Sequence, residues 1–207
     1  MKPLITVLTI DDHPVFREGI AAVLSLEPDI ELIGEAQTAA EGLQMYEKHR
    51  ADVVLMDIQL PDFSGIEATA KICRRHPNAK VIMLTTYKGD VQALAALKAG
   101  ASGFLLKNAL RRELIDSIRA VHAGEQRVFE EVALELASHI GNPALTVREV
   151  DVLRCVAQGQ SNRLIAQALG IAEETVQTHM TNMLAKLEAN DRTKAVMIGL
   201  RRGIIRI

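Results

Sequence analysis

The sequence predicts a doubly wound α/β domain with a five-stranded parallel sheet, followed by a small all-α domain. Two observations favour the first domain: uninterrupted aliphatic runs such as Val53–Met56 and Val81–Leu84, and helix-like stretches between them. Aliphatic runs without polar alternation are typical of strands that are buried on both faces, as in a parallel sheet covered by helices. The third observation is that the pattern becomes entirely helical from Thr146 onward.

Strands and helices alternate along the first 122 residues, which is typical of an α/β domain. The predicted strands are Ile5–Ile10, Ile30–Gly34, Val53–Met56, Val81–Leu84 and Phe104–Leu106. The predicted helices lie near His13–Leu26, Ala39–His49, Ile66–His76, Val91–Ala99 and Leu110–His122. The second strand alternates partly, as an edge strand would. Gly100 and Gly124 stand where helices should end.

Polar residues follow three of the aliphatic runs directly. Asp11 and Asp12 come after the first, Asp57 after the third and Thr85 after the fourth. Ligands of such sheets bind outside the carboxyl ends of the strands, where all four residues should lie. Three carboxylates in one crevice repel each other unless a cation neutralises them. The arrangement therefore predicts a hard divalent ion with oxygen ligands, and Mg²⁺ fits best.

Five elements, in the right order and each at a strand end, carry a resemblance to a known family. They are Asp11-Asp12, Met56-Asp57-Ile58 with Pro61 and Gly65 after it, Thr85, and Gly103-Phe104-Leu105-Leu106-Lys107. With these elements the first 122 residues resemble the receiver domain of a bacterial two-component response regulator. The resemblance implies a flavodoxin-like fold.

The resemblance also implies a role for each site residue. Asp57 would be the phosphoacceptor, a carboxylate nucleophile that receives a phosphoryl group from a histidine kinase. Thr85 and Lys107 would contact the phosphoryl oxygens, and Phe104 would swing inward when Thr85 moves. The Mg²⁺ ligands would be Asp11, Asp12, Asp57 and the backbone carbonyl of Gln59. The domain would support phosphotransfer to its own aspartate and self-dephosphorylation without being a stand-alone enzyme.

Some features favour or oppose other interpretations. Asn108 stands where many receivers have proline, which affects peptide geometry rather than chemistry. His13 could be a metal ligand, but it fits better as the start of the first helix, since a carboxylate site prefers a hard ion.

An aspartate-nucleophile phosphatase would need an acid two residues after the nucleophile, where Gln59 stands. A structural regulator that works without phosphate need not keep mutually repelling carboxylates.

Charge and composition are consistent with two domains in a cytoplasmic protein. Residues 1–140 contain 15 Lys and Arg against 20 Asp and Glu, whereas residues 141–207 contain 9 against 6. A basic segment behind an acidic domain suggests a nucleic-acid partner. Cys73 and Cys155 form neither a zinc motif nor a disulfide framework, which favours a reducing compartment. No run is long enough to span a membrane, and no signal peptide is recognisable.

The predicted domains are residues 1–122, a linker at 123–144 and a helical domain at 145–207. The linker contains a helix-like stretch, Glu130–Ile140. In the helical domain, Thr146 and Glu149 form a capping box, and Ser161 caps a short second helix that ends at Gly170. The third helix, near Glu173–Leu187, and a fourth, from Thr193 to Arg201, complete it. The buried side of the third helix is predicted to hold Val176, Met180, Met183, Leu184 and Leu187.

A short helix, a tight turn and a longer helix are the order of a helix-turn-helix. The residues resemble a LuxR-type DNA-binding module, and with the receiver the chain resembles a NarL/FixJ-type response regulator. The motifs are Leu145-Thr146-Val147-Arg148-Glu149, Gly159-Gln160-Ser161-Asn162, Ile165-Ala166, Leu169-Gly170-Ile171, Thr175-Val176-Gln177-Thr178-His179 and Lys186-Leu187. Ala172 departs from the family's common serine, so the recognition helix should lack a side-chain cap.

The groove-facing side of the recognition helix is predicted to be polar and uncharged. It would present Gln177, where lysine is common, with Thr178, Thr181 and Asn182, while Arg163, Lys186 and Arg192 would contact DNA phosphates. The predicted function is that of a phosphorylation-switched transcription factor. Its partners would be a sensor histidine kinase, double-stranded promoter DNA and a second copy of the chain, with RNA polymerase as a further candidate.

Overall fold

The computed structural model of the chain describes residues 4–86, 90–108, 111–128 and 143–205. The chain divides into two compact units, which are described separately. The first contains a parallel sheet with helices, and the second, within residues 143–205, is helical. The predicted fold class is therefore confirmed. The domain ends at residues 122 and 145 stay predictions, and the predicted helix Glu130–Ile140 lies outside the described residues.

The strands of the first unit form one parallel sheet. They are β1 (Ile5–Ile10), β2 (Ile30–Ala36), β3 (Val53–Asp57), β4 (Val81–Thr85), β5 (Gly103–Leu106) and β6 (Arg127–Val128). Their order is β2-β1-β3-β4-β5-β6, which places β2 at an edge, as its partial alternation predicts. The sequence pattern does not predict β6, because two residues are too few to show a periodicity. This strand pairs with β5 through Gly103 and Arg127.

Helices follow the strands of the first unit. They are α1 (Pro14–Leu24), α2 (Ala39–His49), α3 (Gly65–Arg75), α4 (Asp90–Lys98) and α5 (Arg111–His122). The Thr38 side chain caps α2 by accepting a hydrogen bond from the Glu41 N–H, and Ser64 caps α3 in the same way. Pro14 is the first residue of α1, a position where its missing N–H costs nothing.

The central strands carry the core of the first unit. Every residue of β3 and β4 is buried, which is the reason for their uninterrupted aliphatic pattern. The core cluster comprises Ile5, Val7, Ile20, Leu24, Ile30, Val53, Leu55, Ile82, Leu84, Leu105, Leu114, Ile115, Ile118 and Val121. Since the strands are parallel, their carboxyl ends lie at one edge of the sheet. Asp57 ends β3 and Thr85 ends β4 at that edge.

Gly65 closes the loop between β3 and α3. Its N–H donates to the carbonyl oxygen of Ile58 at 3.0 Å. A Cβ atom at position 65 would lie only 1.8 Å from the backbone oxygen of Asp57, far inside van der Waals contact. The chain can therefore start α3 directly behind Asp57 only because residue 65 has no side chain.

The second unit is built from α6 (Val147–Ala157), α7 (Asn162–Leu169), α8 (Glu173–Lys186) and α9 (Arg192–Arg201). The predicted caps are confirmed. Thr146 and Glu149 form the capping box of α6, Ser161 accepts from the Leu164 N–H at the start of α7, and Gly170 ends α7 at a φ of 65°. Ala172, which precedes α8, makes no side-chain cap, as expected from its sequence.

The apolar faces of α6, α7, α8 and α9 form the interior of the described part of the second unit. Val176, Met183 and Leu187 are buried on the predicted side of α8, and Met180 and Leu184 are partly buried there. They pack with residues of the other helices, among them Val152, Leu153, Val156, Ile165 and Ala195. The opposite face of α8 is exposed.

Candidate functional site

Three charged side chains meet at the carboxyl edge of the sheet. Asp11 follows β1, Asp57 ends β3 and Lys107 follows β5. The Asp11 side chain is fully buried, that of Asp57 is 3% exposed and that of Lys107 is 9% exposed. Charged groups this deeply buried are stable only when they are paired. The fold thus concentrates charge at one buried point.

Lys107 is paired with both buried aspartates. Its Nζ donates to Asp57 Oδ2 at 2.9 Å. The same Nζ lies 2.7 Å from Asp11 Oδ2, at ion-pair distance but without the alignment of a hydrogen bond. One ammonium group therefore balances part of the charge of two carboxylates. The site keeps an excess of negative charge.

The environment of Asp57 disfavours its charged form. Burial raises the pKa of the Asp57 carboxyl, and the nearby Asp11 raises it further. The Lys107 ammonium and the backbone N–H of Gln59, which donates to the carboxylate, lower it, and the pKa remains raised overall. A further cation at the site would favour the ionised carboxylate, which is the nucleophilic form.

Asp11 and Asp57 belong to a wider acidic cluster. One potential ligand atom from each of Asp11, Asp12, His13 and Asp57 lies within 4.8 Å of the others. The Asp12 side chain is 38% exposed and opens the cluster to solvent. Asp11 Oδ2 is buried, and the Lys107 ammonium lies 2.7 Å from it. Several carboxylate oxygens gathered in one small cluster are a donor set that fits Mg²⁺.

The imidazole of His13 lies over the cluster. Its Nδ1 is 2.7 Å from Asp12 Oδ1 and 3.0 Å from Asp11 Oδ1. His13 is also the residue that precedes α1, which confirms that it begins this helix. The sequence pattern indicated the helix start but not the contacts of the ring with both carboxylates.

Thr85, Phe104 and Gln59 lie around the same point. Thr85 is buried at the end of β4, and its carbonyl oxygen accepts from the Lys107 N–H at 2.7 Å. Phe104 is 1% exposed, so its ring is buried. The Gln59 N–H donates to Asp57. The functional roles of these three residues stay predictions.

Arg17 is a site residue that sequence reasoning missed. It is only 8% exposed, and its Nη1 donates to the carbonyl oxygen of Asp11 at 2.6 Å. A signal was present in the sequence. Arg17 precedes Ile20 and Leu24 by three and seven positions on the buried face of α1, so a charged residue interrupts an apolar stripe.

The exposed face of α8 carries the predicted DNA-reading residues. Gln177, Thr178, Thr181 and Asn182 are all exposed on it. The Thr178 hydroxyl donates to the Glu174 carbonyl oxygen and the Thr181 hydroxyl to that of Gln177, both at 3.0 Å. Each hydroxyl oxygen can still accept a hydrogen bond, so all four side chains can contact a ligand.

Two of the three predicted phosphate-contacting cations have internal partners. Lys186 Nζ donates to Glu149 Oε2 at 2.7 Å, and the Glu149 side chain is 3% exposed. The Arg192 Nη2 donates to the Gln160 carbonyl oxygen at 2.5 Å. Arg163 is exposed on α7. Lys186 and Arg192 therefore also hold the helices of the second unit together.

Both units match known protein families. Residues 7–119 match the response regulator receiver domain, and residues 143–198 match the bacterial regulatory proteins of the luxR family. The chain belongs to the response regulators. The predicted resemblance is thereby confirmed over both parts of the chain, and Asp57 and the acidic cluster lie within the receiver match.

Relatives of this response regulator are similar over nearly its whole length. The transcriptional regulatory protein LiaR of Bacillus subtilis is 40% identical over 98% of this chain and 100% of its own. The response regulator protein VraR of Staphylococcus aureus is 36% identical over 97% of this chain and 99% of its own. The crystal structure of the response regulator ChrA is 36% identical over 98% of this chain and 99% of that one, with a TM-score of 0.59.

The family assigns this response regulator to DNA-binding transcription regulators of two-component systems. It is therefore not a member of the aspartate-nucleophile phosphatases, which were the alternative from the enzyme class. Within the described residues, no helix has both the length and the hydropathy to cross a membrane.

Proposed function

We propose that this response regulator accepts a phosphoryl group on Asp57 and that phosphorylation controls binding of its second unit to promoter DNA. The observation that carries the proposal is the position of the Asp57 carboxylate. It ends a buried central strand, beside an acidic cluster and 2.9 Å from the Lys107 ammonium. A buried carboxylate next to a fixed cation is suited to act as a nucleophile towards phosphorus.

The proposed donor is a phosphohistidine of a sensor kinase. A carboxylate oxygen of Asp57 attacks phosphorus, a P–O bond forms as the P–N bond breaks, and the released imidazole takes a proton. Lys107 and Thr85 contact the oxygens of the phosphoryl group in transit. Attack of water on the resulting acyl phosphate returns the free carboxylate and inorganic phosphate, which is the self-dephosphorylation step.

Mg²⁺ is the proposed cofactor of this site. Asp11, Asp12, Asp57 and the Gln59 carbonyl would hold it, and when bound it supplies charge neutralisation for the phosphoryl oxygens. The raised pKa of Asp57 and the excess of carboxylates over cations at the site both support a requirement for added positive charge. Thr85 and Phe104 are proposed to transmit the change, since both are buried at the same edge of the sheet.

The second unit is proposed to place α8 in the major groove of DNA. Gln177, Thr178, Thr181 and Asn182 would read base edges, because all four share its exposed face. Arg163 would contact DNA phosphates. Lys186 and Arg192 would do so as well, through the N–H donors that their internal hydrogen bonds do not use. We propose a cytoplasmic location, with a sensor histidine kinase, promoter DNA and RNA polymerase as partners.

Phosphorylation is expected to favour a dimer that binds two half-sites about one helical turn apart. A monomer offers few base contacts, whereas a symmetric pair doubles them and sets the spacing. Sedimentation velocity with acetyl phosphate and Mg²⁺ should show a larger dimer fraction for wild type and no change for Asp57→Asn. Equal monomer–dimer constants with and without phosphate would refute phosphate-driven dimerisation.

Exchange of Gln177 for lysine is expected to change the DNA sequence that the protein prefers. Glutamine can bond to adenine N6 and N7, whereas lysine favours guanine O6 and N7. Gln177→Lys should therefore shift the preference at one position of each half-site from adenine to guanine, by about 1–3 kcal/mol in discrimination. Selection from a randomised half-site library measures this directly.

Arg163→Gln is the matched control for that selection. Loss of a phosphate contact should weaken binding to all sequences about equally and lower the salt slope by about one unit, with the selected motif unchanged. If wild type and Gln177→Lys select the same motif, Gln177 does not read a base. Thr178, Thr181 and Asn182 would then be the remaining candidates.

A further inference from the structure

We infer that Arg17 is a positioning residue for the metal-binding turn, which is the segment Asp11-Asp12-His13 after β1. The Arg17 guanidinium holds Asp11 and Asp12 in the geometry that binds a divalent cation. The inference deepens the proposed function and rests on it, because the acidic cluster must bind Mg²⁺ for its geometry to matter. Arg17 itself is not a ligand. It acts through the backbone of Asp11.

Arg17 is buried although it is charged. It lies on the buried face of α1, and its Nη1 donates to the Asp11 carbonyl oxygen at 2.6 Å. Its Nε is 3.5 Å from Glu35 Oε2 on β2, and that carboxylate is 43% exposed. An ion pair with a half-exposed acid is weak, because water screens it. Of the two contacts of Arg17, the charge-assisted hydrogen bond to the Asp11 carbonyl is the shorter one.

The turn that Arg17 contacts carries two of the proposed ligands. On one side, the Asp11 N–H donates to the Ala36 carbonyl oxygen at 3.0 Å and continues the pairing of β1 with β2. On the other, the His13 N–H donates to Asp11 Oδ1 at 2.9 Å. Arg17 secures the Asp11 carbonyl between these bonds. The plane of the Asp11–Asp12 peptide, and with it the direction of the Asp12 side chain, depends on this contact.

Position and charge make opposite predictions for Arg17. Through its charge alone, a guanidinium near the cluster repels Mg²⁺, so its removal would strengthen binding. Through its hydrogen bond to the Asp11 carbonyl, the same guanidinium fixes the backbone that carries the ligands, so its removal would weaken Mg²⁺ binding. Loss of a group that orients metal ligands from outside typically lowers metal affinity about 10–100-fold. Since Arg17 contacts the ligand's backbone rather than its carboxylate, we expect about 10-fold for Arg17→Met.

The test is a titration of the full-length protein with MgCl₂, followed by amide chemical shifts in ¹⁵N-labelled protein. The Mg²⁺ concentration at half-saturation should rise about 10-fold in Arg17→Met relative to wild type. The rate of labelling by acetyl phosphate should return to within about twofold of wild type at saturating Mg²⁺, because only positioning of the metal is impaired. Arg112→Met, which removes an arginine that is 91% exposed on α5, is the matched control and should bind Mg²⁺ as wild type does.

Two further variants keep the inference testable if Arg17→Met does not fold. Glu35→Gln leaves Arg17 in place but removes its acidic partner, and Arg17→Lys keeps the charge without the planar fork. Each should weaken Mg²⁺ binding by a smaller factor than the methionine exchange. Unchanged or tighter Mg²⁺ binding in the variants that fold would overturn the inference. Failure of wild type itself to bind Mg²⁺ would overturn the proposed function and this inference with it.

Discussion

Asp57→Asn is expected to abolish covalent labelling by acetyl phosphate in the presence of Mg²⁺. Wild type should gain the mass of one phosphoryl group, because Asp57 is the carboxylate that ends a buried central strand beside Lys107. The amide of asparagine is not nucleophilic and cannot form the acyl phosphate. Intact-mass spectrometry of the two proteins under identical conditions measures the difference.

Asp116→Asn is the matched control for the Asp57 exchange. Asp116 is an exposed aspartate on α5 whose only described ion pair is with Arg112, so its replacement should leave labelling at the wild-type level. Labelling of Asp57→Asn to the extent of wild type would mean that another residue is the phosphoacceptor. Removal of Mg²⁺ with a chelator should reduce labelling of both wild type and the control.

Gly65→Ala is expected to impair both the stability and the chemistry of the receiver. The new Cβ would lie 1.8 Å from the Asp57 backbone oxygen, so the main chain at the phosphoacceptor must move. Overpacking against backbone costs about 3 kcal/mol, at the upper end of such changes, because no flexible side chain can yield. A displacement of about 1 Å at a nucleophile lowers the rate about 100-fold. Urea unfolding and the acetyl phosphate labelling rate measure the two effects.

Gly19→Ala provides the contrast for the Gly65 exchange. Gly19 lies inside α1, where an added Cβ would meet no atom within 4 Å. Alanine favours a helix over glycine, so this variant should be more stable by about 0.5–1 kcal/mol and should label as wild type does. A Gly65→Ala protein as stable and as reactive as wild type would contradict the close packing of α3 behind Asp57.

Local patterns in the sequence predict most of the fold. The aliphatic runs predicted β3 and β4 because strands buried on both faces need apolar residues at every position. The capping box at Thr146 and the end of α7 at Gly170 were predicted because they depend on neighbours within one turn. β6 was not predicted, since two residues become a strand only when an existing edge pairs with them.

The sequence by itself determined which residues stand at the strand ends, and so the convergence of Asp11, Asp57 and Lys107 at one edge of the sheet. Only the tertiary structure decided how their side chains pair. Lys107 bridges both aspartates, and Lys186 binds Glu149 from 37 residues away. The physical reason is that an ion pair depends on the distance between two side-chain tips. That distance depends on helix packing and on side-chain rotamers, and neither can be predicted from the pattern of residues along the chain.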